Sequence, residues 1–191
     1  MMNDTYFPYD SSITVPLAKV PVWPYTLDYK CTHHYSFGLQ VLLGHSFCRI
    51  PHTCHGSCPK QSWPGIWELP INELDRREDP KFDEELTGCP LVSSCTNIQD
   101  KDQFQTLLEN NFERHYSTNR APLSLSFTPF WLKSNKDFIK VFEDWMDQTL
   151  VRYNDVYFVT NYQALLWMTN PVGTSNLNGF EEWKDKCKVL F

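Results

Sequence analysis

DQFQTLLENNFERHYSTNRAPLSLSFTPFWLKSNKDFIKVFEDWMDQTLVRYNDVYFVTNYQALLWM, residues 102–168, switches its hydrophobic period four times. Phe104, Leu107, Leu108 and Phe112 recur at helical spacing, so 102–116 is expected to be an amphipathic helix, with Asp102 as its cap. LSLSF (123–127) alternates apolar and polar and predicts a strand. A second helix is expected over 135–150, capped by Asn135 and striped by Phe138, Val141, Phe142, Trp145, Met146 and Leu150. VYFVT (156–160) has the composition of a buried strand. YQALLWM (162–168) opens a third helix that Pro171 and Gly173 stop. The order is α–β–α–β–α, and such alternation implies parallel strands joined by helical crossovers. Two strands cannot cover a sheet on both faces, so the expected fold class is α/β, the closing part of a larger (β/α) barrel.

Outward from that stretch the sequence is less regular. Residues 179–187 predict at most one further helical turn. On the other side, 73–101 is charged, then cysteine-bearing, and reads as a long surface loop. GIWELPIN (65–72) predicts a short strand with Trp67, Leu69 and Ile71 on one face, and Pro70 places it at an edge or ends it early. Residues 50–64 read as loop. The first thirty residues carry Pro8, Pro16, Pro21 and Pro24 and predict extended segments and turns.

Composition narrows the function classes. The chain has 191 residues, the length of one domain or of a piece of a larger one, and aromatic residues make up 15% of it. Net charge is −6, without the basic patch that a nucleic-acid footprint needs. No apolar run is long enough to predict a membrane span, and the first residues, MMNDTYFPYDSS, do not read as a signal peptide. Seven cysteines, Cys31, Cys48, Cys54, Cys58, Cys89, Cys95 and Cys187, predict disulfides and an oxidising compartment. Cys54 and Cys58, and Cys89 and Cys95, are two close pairs that could bond locally or across the two loops. Asn3-Asp4-Thr5 is a glycosylation sequon.

Three segments could carry chemistry. Five of the six histidines, His33, His34, His45, His52 and His55, crowd into 23 residues beside four cysteines. Cys31-x-His33 with His45-x-x-Cys48 could ligate a structural zinc, although the spacing matches no zinc finger and oxidised cysteines bind no metal. VPVWPYTLDYK (20–30) is an extended aromatic segment with one acid. It is either a strand edge covered by rings or a platform on which Trp23 and Tyr25 stack a sugar while Asp28 orients a polar group. RAPLSLSFTPFWLK (120–133) ends its strand at Thr128, where barrel enzymes carry their chemistry, with Trp131 close behind. His115 reads as a surface or helix-end residue, its charge suited to a helix C-terminus.

VWPYTLDYK, WELPINELDRREDPKFDEELTGC, NRAPLSLSF and NDVYFVT, in that order, resemble the arthropod chitin deacetylases of the polysaccharide deacetylase superfamily. The resemblance covers 6–30 and 50–187. It implies the C-terminal part of a distorted (β/α) barrel, in a secreted protein of the extracellular matrix that removes acetyl groups from the N-acetylglucosamine units of chitin. It also implies zinc or another divalent metal held by an Asp-His-His set, a second Asp as general base and a histidine as general acid. The TFDD-type segment and the His-x-x-x-His that supply ligands and base do not occur in the sequence, and the family's Arg-x-Pro segment would lie upstream of residue 1. WPYTLDY (23–29) matches the fourth motif. In the fifth, Leu125-Ser126-Phe127-Thr128 puts threonine where the family has its acid histidine, and a hydroxyl is far too weak an acid for that role.

The resulting expectation is a chain that holds no metal or cofactor and is inactive alone. Trp23, Tyr25, Asp28, Thr128 and Trp131 would line a sugar groove. Chitin or its oligosaccharides would be the partner of a monomer that engages neither nucleic acid nor membrane. The alternative is a non-catalytic extracellular chitin-binding protein. Residues 31–49 interrupt the resemblance, and deleting them would join Lys30 to Ile50-Pro51-His52-Thr53-Cys54 as in the family. They are expected to be an insertion foreign to it, from a retained intron or a gene-model error.

Overall fold

A computed structural model of the chain describes residues 8–28, 61–78 and 88–184. The chain divides into two compact units, Met1–Lys136 and Asp137–Phe191.

The first unit is built on short strands. β1 (Tyr9–Asp10), β4 (Trp67–Glu68) and β3 (Tyr25–Thr26) form one sheet in that spatial order, with β1 parallel and β3 antiparallel to β4. β2 (Thr14–Val15) runs parallel to β5 (Ile71–Asn72). β6 (Leu74–Asp75) pairs antiparallel with β7 (Gly88–Cys89). GIWELPIN is therefore extended as expected, but it breaks at Leu69-Pro70 into β4 and β5, and β4 is a central strand.

The ladder between the first segment and 67–73 continues through that break, with Leu69 N–H on Asp10 O (2.8 Å), Ile71 N–H on Ile13 O (2.9 Å) and Glu73 N–H on Val15 O (3.0 Å). Asp10 and Thr14 enclose three residues where Glu68 and Ile71 enclose two. The extra residue makes a β-bulge at Ser11–Ile13, which bends the strand and leaves one amide outside the ladder. The bulge is satisfied by side chains: Ser11 Oγ donates to Leu69 O (2.8 Å) and Glu68 Oε1 accepts from Ile13 N (3.1 Å).

α1 (Lys101–Ser117) buries the stripe Phe104, Leu107 and Leu108 with Ile13, Val15, Leu69, Leu74 and Val92. Its cap is Asp100, whose carboxylate accepts from Gln103 N at 2.8 Å; Asp102 lies inside the first turn. Asn111 Oδ1 accepts from Asp75 N (2.8 Å) and its Nδ2 donates to Asp75 O (2.9 Å), so a helix side chain completes the edge of β6 as a strand would. α2 (Pro129–Ser134) is a short helix closed by Asn135, whose amide meets the carbonyls of Trp131 and Leu132.

The expected strand at 123–127 is not one. Leu123, Leu125 and Phe127 are half-buried and Ser124 and Ser126 exposed, so the alternation holds. Among the described residues, however, the backbone makes a single sheet-like bond, Val92 N–H to Ser126 O at 3.1 Å. A side-chain pattern selects an extended backbone, whereas a strand needs a hydrogen-bonded neighbour.

The second unit holds α3 (Lys136–Arg152) and α4 (Asn161–Thr169), followed by 3₁₀ turns at Thr174–Gly179 and Glu181–Trp183. On α3, Phe138 and Trp145 are buried as expected, but Thr149 takes the last buried place and Leu150 is 49% exposed. α4 opens on a capping box, Thr160 with Gln163. VYFVT belongs to no strand, and Tyr157 and Phe158 are each 41% exposed. Their rings pack on neighbouring aromatics, Phe158 edge-on against Trp145 and Tyr157 tilted against Trp183. The described residues are thus mixed α/β with three small sheets and no closed barrel.

Candidate functional site

Trp23, Tyr25 and Asp28 come from one extended segment that enters β3 and leaves it by a turn. Two asparagines fasten its approach. Asn72 accepts from Val22 N (2.8 Å) and donates to Val22 O (2.9 Å). Asn119 donates from Nδ2 to Pro21 O (2.7 Å), and its backbone carbonyl accepts from the Trp23 indole Nε1 at 3.0 Å. The Trp23 ring is anchored by its polar edge and stays partly exposed.

Asp28 closes the turn. Its Oδ1 accepts from Gly65 N (2.7 Å) and its Oδ2 from Thr26 Oγ1 (2.8 Å). Both bonds favour the charged form, the Gly65 amide first and the Thr26 hydroxyl second, so the carboxyl ionises below its usual range. Gly65 has φ +81°, a left-handed conformation that a residue with a Cβ adopts only under strain. The result is a fixed, ionised carboxylate on a partly exposed residue.

Tyr25 serves a different purpose. In register it stands opposite Glu68, which stands opposite Asp10, so the three lie in a row across β1, β4 and β3. Glu68 is wholly buried. Burial, foremost, then the charge of Asp10 raise its carboxyl from an ordinary 4.5 to about 8, against the opposing bond from Ile13 N. Burial, then Glu68 and Asp10, push the Tyr25 phenol far upward, so it keeps its proton. The residue is half-buried and its hydroxyl oxygen is buried.

Thr128 caps α2, its Oγ1 accepting from Trp131 N at 3.3 Å. Trp131 packs edge-on to Phe104 (5.6 Å between centroids) and beside Phe127 (5.8 Å). The structure thus brings Trp23, Tyr25 and Asp28 together on one segment and Thr128 and Trp131 on another. His115 is not a surface residue: it is 3% exposed, and Nδ1 lies 2.8 Å from Ala121 O. Burial, as the largest effect, lowers its pKa to about 4, so it carries no charge to offer the helix end at neutral pH.

Of the cysteine connectivities left open, the described residues contain the local one, Cys89–Cys95, with Cα atoms 5.4 Å apart. Cys54 and Cys58, Asn3, the block 31–49 and the whole His/Cys cluster lie outside the described residues. Among the described residues no three His, Cys, Asp or Glu side chains come together as a metal cage, so these residues do not fit the zinc site that the resemblance implies. No described helix is long and apolar enough to cross a membrane.

Sequence reasoning missed Glu68, Asp10, Asn72, Asn119 and Gly65. The one available signal was the alternation in GIWELPIN, which puts Glu68 on the face opposite Trp67 and Leu69. What buries that face is pairing to residues more than forty positions away, and a single sequence does not display it.

No protein-family profile matches the sequence. Chitin deacetylase 1 of Bombyx mori is 45% identical over 192 aligned residues, 99% of this chain and 32% of that protein. Chitin deacetylase 8 of the same species is 31% identical over 162 residues, 83% of this chain and 36% of that protein. The chain spans about a third of the length of these curated relatives. Over nearly its whole length, this chain is similar to part of the chitin deacetylases of Bombyx mori.

Proposed function

We propose that this chain is a chitin deacetylase-like protein of carbohydrate metabolism that engages chitin oligosaccharides through Trp23 and Asp28 and releases no acetate by itself. The observation that carries the reading is the pairing of a fixed, ionised Asp28 with a partly open Trp23 ring on one rigid segment, in a chain with this kinship. A sugar presents C–H faces to a ring and hydroxyls to a carboxylate, and a pre-fixed pair meets both at little entropic cost. Thr128 and Trp131 would border the groove as a helix cap and a packed ring. Tyr25 would support it from beneath.

The metal chemistry of the wider family polarises an amide carbonyl and activates water, and this sequence carries neither the TFDD-type segment nor a His-x-x-x-His. The same reading places the chain in a partial barrel, as a monomer, in a secreted glycoprotein of the extracellular matrix. The helix-capping role of Thr128 favours the second reading, a non-catalytic extracellular chitin-binding protein.

The test uses the purified chain with chitin hexamer, reading tryptophan fluorescence for binding and acetate release with added zinc or cobalt. Saturable binding without acetate is expected, weakened at least tenfold in Asp28→Ala. Turnover overturns the claim of inactivity, and absence of binding overturns the sugar reading.

A further inference from the structure

We propose that Asp10 and Glu68 share one proton, and that this proton is the catch that holds β1, β4 and β3 together and keeps the Asp28 turn in place. Residues directly opposite on neighbouring strands project their side chains from the same face of the sheet. Asp10, Glu68 and Tyr25 are opposite one another in turn. Two carboxyls therefore stand side by side, one of them fully removed from water.

The hydrogen bonds fix which carboxyl holds the proton. Asp10 Oδ2 already accepts from Ser12 Oγ at 2.5 Å, which suits an anion. Glu68 Oε1 accepts from Ile13 N, while Oε2 is buried and has no hydrogen-bond partner. A buried oxygen without a donor is costly as an acceptor. Protonated, Oε2 becomes a donor facing the Asp10 carboxylate, and an orphan turns into a charge-assisted bond between β1 and β4. The groups that act on Glu68 are Asp10 from β1, Tyr25 from β3 and the Ile13 and Ser12 amides of the bulge. Among the described residues no lysine, arginine or histidine bonds to either carboxylate, so a proton is the available counter-charge. Desolvation and the Asp10 charge together carry the Glu68 carboxyl to about 8, so the proton stays through neutrality.

When it leaves to hydroxide, β1 and β4 carry facing anions. The junction that loosens also bears Thr26, paired with Trp67, and through Thr26 and Gly65 the two bonds to Asp28. The Asp28 turn thus opens on the alkaline side, and the inference stands whether or not the chain binds sugar.

The experiment is a carboxyl-carbon NMR titration of the full chain with labelled Glu, with amide exchange at Gly65 and thermal melts over the same pH range and no sugar present. One glutamate is expected to titrate near pH 8, Gly65 exchange to quicken through that step beyond the ordinary base-catalysed rise, and the Glu68 contribution to lower the folding constant by up to tenfold per pH unit below that midpoint and to level off above it. Glu68→Gln, shaped like the protonated acid, should abolish both changes, and Asp10→Asn should lower the midpoint. All glutamates titrating below pH 6, or Glu68→Gln keeping the wild-type slope, overturns the shared proton. A titration that leaves the protection factor of the Gly65 amide constant overturns the link to Asp28. If Glu68→Gln fails to fold, the wild-type titration still decides.

Discussion

Gly88 shows how one missing side chain sets a junction. It pairs with Asp75 across β6 and β7, and a Cβ placed there would meet the Glu73 Cβ at 2.8 Å and its carboxylate closer still. Glu73 is not free to retreat: Oε2 accepts from Leu17 N (3.1 Å) and its own amide donates to Val15 O (3.0 Å). Its carbonyl also accepts from Arg114, which ties Ala18 to the same point. Gly88→Ala is therefore expected to cost about 1–3 kcal/mol, the range for forcing extra volume into a packed site. Denaturant unfolding checks this; a variant as stable as the parent would show that Glu73 has room to move.

At the level of elements, the helices and the strands part company. Helical period is a local property, and the bounds of α1, α3 and α4 lie within two residues of expectation at each end. Caps are finer. Asp100, with its carboxylate on the Gln103 amide, holds the start of α1. Asp100→Ala should lower stability by about 1 kcal/mol, the usual cost of a lost cap. Asp102→Ala should cost about 0.3–0.5 kcal/mol, because it forfeits only the attraction of a first-turn charge to the helix dipole. Melting the two variants side by side tests the assignment, and equal losses would refute it. Strands depend on partners. LSLSF has the alternation and VYFVT the composition, yet neither has a ladder, whereas β1 and β2 arise in a Pro-rich lead where no strand pattern is visible.

For the whole molecule, two buried groups shape stability against pH. His115 has a folded pKa near 4, below its ordinary 6.5, so the unfolded chain binds more protons between those values and stability rises with pH there. Glu68 has a folded value near 8, above its ordinary 4.5, so the folded chain binds more protons and stability falls as pH rises through that window. From these groups, stability is expected to be nearly level from about pH 4.5 to 6.5. It should then fall by up to about 1.4 kcal/mol per pH unit toward pH 8. Denaturant titrations from pH 4 to 9 measure the profile, and a rise between pH 6.5 and 8 would contradict it. In His115→Gln the decline should begin near pH 4.5.

Both groups were invisible in the sequence for one reason. His115 reads as a polar helix end until Ala121 folds back over it, and Glu68 reads as a strand's outer residue until the bulge at Ser11–Ile13 closes on it. Asp28 and Trp23 were legible because the chemistry of a ring beside an acid survives without knowledge of contacts. Their anchors, Asn72 and Asn119, were not, since an asparagine standing in for a strand looks like any loop asparagine.

Those anchors carry a consequence for synthesis on the ribosome. Arg114 reaches Ala18, and Asn119 reaches Pro21 and Trp23, across 96 to 98 residues of chain. The Pro21–Asp28 segment emerges early but cannot settle until Asn119 has left the exit tunnel. Until then the aromatic rings of the proposed groove are held only by what shields nascent chains, and the site is among the last parts of the first unit to form.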